Sequence, residues 1–183
     1  MSAAPDFIEP IVGWRTWLVV QEGGGFRLRS VVYDALWPAR KELVARCLRR
    51  SRALWFPWRR RPEHASPGGG CGCGIYAAGE PEEAASYLEE RSWGDASSVQ
   101  TVIGTVSLWG RVIECRRGWR ASHAYPHAIY VPATRDREPL RVETGQAVAL
   151  ALTDYGVPVE RLDAHAHRPA QVVAALRAGA ARD

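Results

Sequence analysis

The residues of this 183-residue chain that could do chemistry are concentrated between positions 47 and 73. Cys71 and Cys73 are separated by a single glycine, His64 lies a short distance upstream, and Cys47 precedes them all. Thiolates and imidazoles are the ligands that zinc prefers, and a tetrahedral site needs four of them. The sequence therefore predicts a zinc site with the ligands Cys71, Cys73, His64 and Cys47.

The spacing of these thiols leaves other uses open. Well-specified zinc sites carry C-x-x-C pairs or an H-x-x-x-H pair, and this chain has neither. A Cys-Gly-Cys sequence can also form a strained redox disulfide, or supply a thiolate nucleophile with His64 as its base. The four cysteines can equally be small apolar residues of the core and loop. Cys115 competes with Cys47 for the fourth ligand position.

A basic and aromatic segment lies between Cys47 and His64. Arginine binds phosphates in a bidentate manner, and aromatic rings stack on bases. We therefore expect a contact with nucleic acid or with another acidic partner. The alternative is that the arginines end a helix and the tryptophans enter the core. The candidate nucleic-acid-binding residues are Arg50, Arg52, Trp55, Trp58, Arg59, Arg60 and Arg61.

Hydrophobic periodicity predicts the elements that must position these residues. Apolar spacing predicts a first helix over 38–50, with Cys47 on its buried side, and then a long loop to residue 73. Further helices are predicted over 81–90, 144–155 and 169–178. Strands are predicted over 11–20, 26–30, 74–78, 102–112 and 128–131, with a bulge or turn at Gly110, and a short strand over 157–159. This order predicts an α+β fold, a mainly antiparallel sheet with three or four packed helices.

Length and composition favour a single globular domain over 1–183, with a core over about 11–160 and a C-terminal helix over about 169–178. No apolar run reaches the about 20 residues of a membrane span, and the first residues lack the features of an export signal. We therefore expect a cytoplasmic protein without a membrane partner. The net charge of +4 is weak evidence for a polyanion partner. Lys41 is the only lysine and asparagine is absent, a bias that GC-rich coding also produces.

Three motifs carry a resemblance: C-G-C-G-I-Y-A at 71–77, L-W-G-R-V at 108–112 and G-W-R-A at 118–121. Together they resemble uncharacterised small proteins from GC-rich bacteria, over roughly residues 12–132. This resemblance implies a folded domain and brings no activity.

A weaker resemblance, carried by fewer residues, concerns Gly74-Ile75-Tyr76-Ala77 and the following predicted helix, which contains Ala85 and Tyr87. These residues are similar to a strand and helix of ADP-ribosyltransferases of the poly-ADP-ribosylating type. The histidine-glycine-threonine strand of that family is absent. The sequence thus favours a small intracellular binding module with a metal-organised Cys/His loop. The alternative is a cysteine-dependent or ADP-ribosyltransferase-like enzyme.

Overall fold

The computed structural model describes residues 9–47, 64–89, 98–133 and 139–180. Strands and helices alternate irregularly along the chain. The elements are β1 (Ile11–Glu22), β2 (Gly25–Ser30), β3 (Leu43–Val44), β4 (Ile75–Ala78), α1 (Pro81–Glu89), β5 (Ser98–Cys115), β6 (Gly118–Ala133), α2 (Pro139–Leu152), a 3-10 turn (Thr153–Tyr155), β7 (Val159–His165) and α3 (Pro169–Ala180).

The described strands form one sheet that closes on itself. Strand β1 pairs antiparallel with β2 and, over most of its length, with β5. Strand β5 pairs antiparallel with β6 through the hairpin that joins them. The short strand β4 pairs antiparallel with both β6 and β1, so β1, β5, β6 and β4 make a complete circuit. Strand β3 lies antiparallel to β6, and β7 lies parallel to it.

Alternating side chains give the sheet two apolar faces. Val102, Val106 and Leu108 of β5 enter the main core, whereas Ile103 faces the opposite side. Trp17 and Trp37 meet edge to face in this main core, with ring centroids 5.5 Å apart. The opposite face packs against α1, β7 and α3 in a second cluster, whose buried members are Ala84, Ala85, Leu88, Ile103, Leu162, Ala164, Val172, Val173 and Leu176.

Glycines permit the close approach of strands where the circuit closes. Gly118, at the start of β6, has a φ of +139° and lies opposite Ala78 of β4. A Cβ atom there would fall 2.1 Å from the Ala77 carbonyl oxygen. Gly110 has a φ of +74° at an interruption of the β5–β6 register, which confirms the bulge expected from sequence.

The structure corrects the predicted fold class. The expectation of an α+β fold, a mainly antiparallel sheet with three or four packed helices, is wrong. The described chain is mostly sheet and its helices are few, and the sheet is mixed because β7 runs parallel to β6. Parallel pairing needs a crossover connection, and α2 lies in that connection.

The predicted helix over 38–50 is also wrong as far as the structure describes that segment. Residues 43–44 form β3 instead, and 48–50 lie outside the described residues. The helices predicted over 81–90 and 169–178 are found as α1 and α3. The strand predicted over 128–131 is the end of the much longer β6.

Within the described ranges, the structure has no helix of the length and apolar character that a membrane crossing requires.

The closure of the sheet predicts opposite effects for two glycine-to-alanine changes. Gly118→Ala places a methyl group against the Ala77 carbonyl at a left-handed backbone position, so we expect a loss of about 2 to 4 kcal/mol in the free energy of unfolding. Gly145→Ala in α2, where a Cβ meets nothing within 4 Å, should stabilise by about 0.5 to 1 kcal/mol. Denaturant titration of both variants checks this; equal midpoints would contradict it.

Candidate metal centre

Two described stretches of the chain, the one that ends at Cys47 and the one that begins at His64, meet beside β4. Pairing of β3 with β6 continues into a hydrogen bond from the Ala45 amide to the Ser122 carbonyl, 2.7 Å long, which brings Cys47 alongside the sheet. Cys71 and Cys73 lie in the turn that leads directly into β4, and His64 begins the same described segment. The ligand atoms of Cys47, His64, Cys71 and Cys73 all lie within 4.8 Å of one another.

The spacing of the sulfurs suits a metal ion better than a disulfide. The Cys47 and Cys71 Sγ atoms are 3.7 Å apart. Two sulfurs bound to one tetrahedral zinc at about 2.3 Å are about 3.8 Å apart. A disulfide bond is only about 2.05 Å long. The four side chains therefore form a Cys3His set with room for one ion at its centre.

Groups around the cluster hold its ligands in place. The Gly68 amide donates a hydrogen bond to the Cys73 Sγ, 3.3 Å away, as backbone amides do around metal-bound thiolates. The His64 Nδ1 lies 3.0 Å from the Ala65 carbonyl oxygen. When Nδ1 carries the proton and donates it to that carbonyl, Nε2 is the nitrogen left for a metal.

Arg120 links the cysteine turn to the sheet. Its buried guanidinium donates hydrogen bonds to the Cys71 carbonyl and, over 3.0 Å, to the Cys73 carbonyl. Zinc with three thiolates carries a net charge of −1, and the nearby guanidinium offsets it. The sequence motifs do not indicate Arg120 as part of the site, because the β4–β6 register that places it opposite Tyr76 forms only in the fold.

Local hydrogen bonds favour the thiolate form that a metal requires. They lower the pKa of Cys71 to about 6, first through the backbone of Cys73 and next through the His64 side chain. The pKa of His64 is raised, first by its hydrogen bond with the Ala65 carbonyl and then by Cys71. A thiol with a pKa near 6 is mostly ionised at pH 7, so little proton release is needed for metal binding at Cys71.

Two glycines set the shape of the loop. Gly74, between the cysteines and β4, has a φ of +126°, and a Cβ there would lie 3.1 Å from Pro67 and 3.2 Å from the Arg120 Cβ. Gly68 faces the imidazole of His64, since a Cβ there would lie 2.5 Å from the His64 Cε1. Larger residues at these positions would separate the loop from the sheet or the histidine from the cluster.

The remaining sequence-predicted residues lie elsewhere. Cys115, the competitor for the fourth ligand position, is at the end of β5, with its Sγ 3.8 Å from the Ile113 carbonyl, and does not join the group. Cys47 joins it from the segment after β3, which is not the predicted helix. The candidate nucleic-acid-binding residues lie outside the described part of the chain: Arg50, Arg52, Trp55, Trp58, Arg59, Arg60 and Arg61.

Comparison of the chain with protein-family models, curated proteins and solved structures finds no match.

The contact between Gly68 and His64 predicts that zinc affinity can be lowered without replacing any of the four ligand residues. The added methyl of Gly68→Ala must displace the exposed imidazole, so we expect zinc affinity to fall about 10- to 100-fold. Gly70→Ala is the matched control, because a Cβ there meets nothing within 4 Å. Competition with a chromophoric chelator measures both variants. Equal affinities would show that His64 does not ligate from this position.

Proposed function

We propose that the protein is a small binding module in which one zinc ion, ligated by Cys47, His64, Cys71 and Cys73, holds the 64–73 loop against the sheet. The observation that carries this proposal is the convergence of four ligand atoms within 4.8 Å, with Cys47 before the 48–63 segment and the other three ligands after it. The Gly68 amide and the Arg120 guanidinium support it, because each donates a hydrogen bond at the cysteine turn and so stabilises negative charge there.

The same ion would close the basic segment into a loop. Cys47 and His64 are the residues that flank 48–63, so both ends of this segment would be bound to one zinc. Closing the ends reduces the entropy that the segment loses when it binds a partner. The segment contains six arginines and one acidic residue, Glu63. We propose that this metal-closed segment binds the phosphates of single-stranded nucleic acid, in a reducing compartment such as the cytoplasm, where thiol ligands persist.

The metal proposal predicts about one zinc per chain in protein purified without a tag. We expect Cys73→Ser to lose most of the bound zinc, because it removes a thiolate ligand, whereas Cys115→Ser retains it. A strong chelator should lower the melting temperature of the wild type and of Cys115→Ser, since structural zinc contributes to folding. Elemental analysis and native mass spectrometry provide the measurement. Less than about 0.2 equivalents of metal in the wild type would contradict the proposal.

The nucleic-acid proposal predicts binding that weakens steeply with salt, because phosphate contacts release counterions. Replacing Arg59, Arg60 and Arg61 together by glutamine should weaken binding of a 20-nucleotide single strand about tenfold or more at low salt and flatten its salt dependence. The matched control replaces three exposed arginines elsewhere: Arg111, Arg116 and Arg161.

Fluorescence anisotropy across a salt series measures this binding, with zinc content determined for each variant. Absence of binding at low salt, or equal effects of the two triple variants, would refute the nucleic-acid contact. An acidic peptide bound in preference to the nucleic acid would refute it as well. A full zinc content in the same samples would leave the metal centre standing.

A further inference from the structure

A cavity of about 610 Å³ lies beside β4, between the segment after β2 and helix α1. Ligand pockets in proteins are typically 300 to 1,000 Å³ in volume. Its wall includes three tyrosines, Tyr33, Tyr76 and Tyr87, and we call it the tyrosine cavity. These side chains are 49%, 41% and 40% exposed, so their rings remain available to a ligand.

Arg15 of β1 also lines this cavity and lacks a carboxylate partner among the described residues. Its guanidinium donates hydrogen bonds to the Tyr76 carbonyl and, over 3.0 Å, to the Ser30 Oγ. It lies 5.1 Å from the centre of the Trp37 ring. Its Nε is buried without a hydrogen-bond partner. The cation is thus fixed in position while part of its hydrogen-bonding capacity is unused.

Desolvation makes this cation costly in the absence of an anion. Burial lowers the pKa of Arg15 to about 10, and its interaction with Tyr87 opposes that shift only in part. A guanidinium removed from water is stabilised by a carboxylate or phosphate, which it binds in bidentate geometry.

The other charges at the cavity wall are already paired. The Glu83 carboxylate lies 3.5 Å from the Arg117 guanidinium, and the Glu82 carboxylate lies 2.5 Å from that of Arg177. These pairs neutralise the two acidic residues of the wall and leave Arg15 as its uncompensated charge. The cavity therefore favours one negative charge on a ligand.

A larger cavity, also lined by Arg15, has a volume of about 870 Å³ and offers fewer tyrosine rings to a ligand. Its wall combines three acidic residues with three further basic residues, Arg27, Lys41 and Arg46, and its one tyrosine is Tyr33. The three tyrosines and the paired acids point to the smaller cavity.

We propose that the tyrosine cavity binds a small molecule that joins a planar ring to one carboxylate or phosphate group. The anionic group pairs with Arg15, and the ring packs against the tyrosine side chains. Of these tyrosines, Tyr87 is the one that can be replaced with the least effect on the fold. This site shares no ligand residue with the metal centre, so its binding assays are read separately from the zinc and nucleic-acid tests.

Two probe pairs test the proposal and distinguish the two anionic groups. Adenosine 5′-monophosphate is compared with adenosine, and 4-aminobenzoate with 4-aminobenzamide, by calorimetry or ligand-observed NMR on the full chain. We expect at least one anionic probe to bind saturably with one site per chain. Its neutral counterpart should have an affinity at least about tenfold lower. The phosphate pair and the carboxylate pair show which group the site prefers.

Three variants locate the binding. Arg15→Gln keeps amide donors for the Tyr76 and Ser30 acceptors but removes the charge, and should weaken the anionic probe about tenfold or more. Tyr87→Ala removes an exposed ring from α1 and should weaken it about fivefold or more with little change in melting temperature. Leu150→Ala, at the 72% exposed Leu150 of α2, is the control and should bind as the wild type does.

Three results would overturn the inference. The first is no saturable binding of either anionic probe up to millimolar concentration. The second is equal affinity for the charged and neutral members of both pairs. The third is wild-type affinity in Tyr87→Ala, which keeps the test decisive even where Arg15→Gln fails to fold.

Discussion

The pairing of β4 with β6 is the contact on which the other features depend. Four residues of β4 register with Gly118 through Ala121, and this short ladder joins β1 to β6 and closes the sheet. Ile75 and Ala77 face the core, so Tyr76 faces outward, opposite Arg120. Arg120 in turn holds the carbonyls of both cysteines in the turn that enters β4. One four-residue strand thereby fixes the closure of the fold and the position of the cysteine turn.

The loop before β4 is not held in one conformation by the hydrogen bonds of a helix or a strand. Residues 64–73 contain neither helix nor strand, and they include Gly68, Gly69, Gly70 and Gly72. Ordering a residue costs about 1 to 2 kcal/mol of backbone entropy, so a ten-residue loop costs about 10 to 20 kcal/mol. Structural zinc supplies about 10 to 16 kcal/mol in small peptides. The two magnitudes are comparable, so a bound zinc would be sufficient to organise such a glycine-rich loop.

The sequence predicted local elements well where period and burial agree, as in β5, where every second residue from Val102 to Leu108 is buried. The helix predicted over 38–50 is wrong although Leu43, Val44 and Cys47 recur at helical spacing. Residues 43–44 pair with β6 as a strand instead, and Cys47 lies in the Cys/His cluster. The short strand predicted over 157–159 reaches only the first residue of β7, although Leu162 and Ala164 alternate with exposed neighbours, since the strand's parallel partner is distant in sequence. The four candidate ligands could be predicted from the clustering of cysteine and histidine in the sequence. Arg120 and Gly68 could not, because their contacts with the cluster form only in the fold.

The composition of the proposed metal centre bears on where chemistry could occur. A catalytic zinc keeps one position open for water or substrate, whereas a Cys3His set supplies all four positions from the protein. Zinc bound in this way would organise the loop without acting on a substrate. The tyrosine cavity is the part of the described surface with exposed rings and an unpaired cation. Tyr76 joins the two, since its hydroxyl donates to the Gly72 carbonyl between the cysteines and its carbonyl accepts from Arg15. Ordering the cysteine turn therefore also sets one wall of the cavity, so a structural metal can support binding at a site that it does not touch.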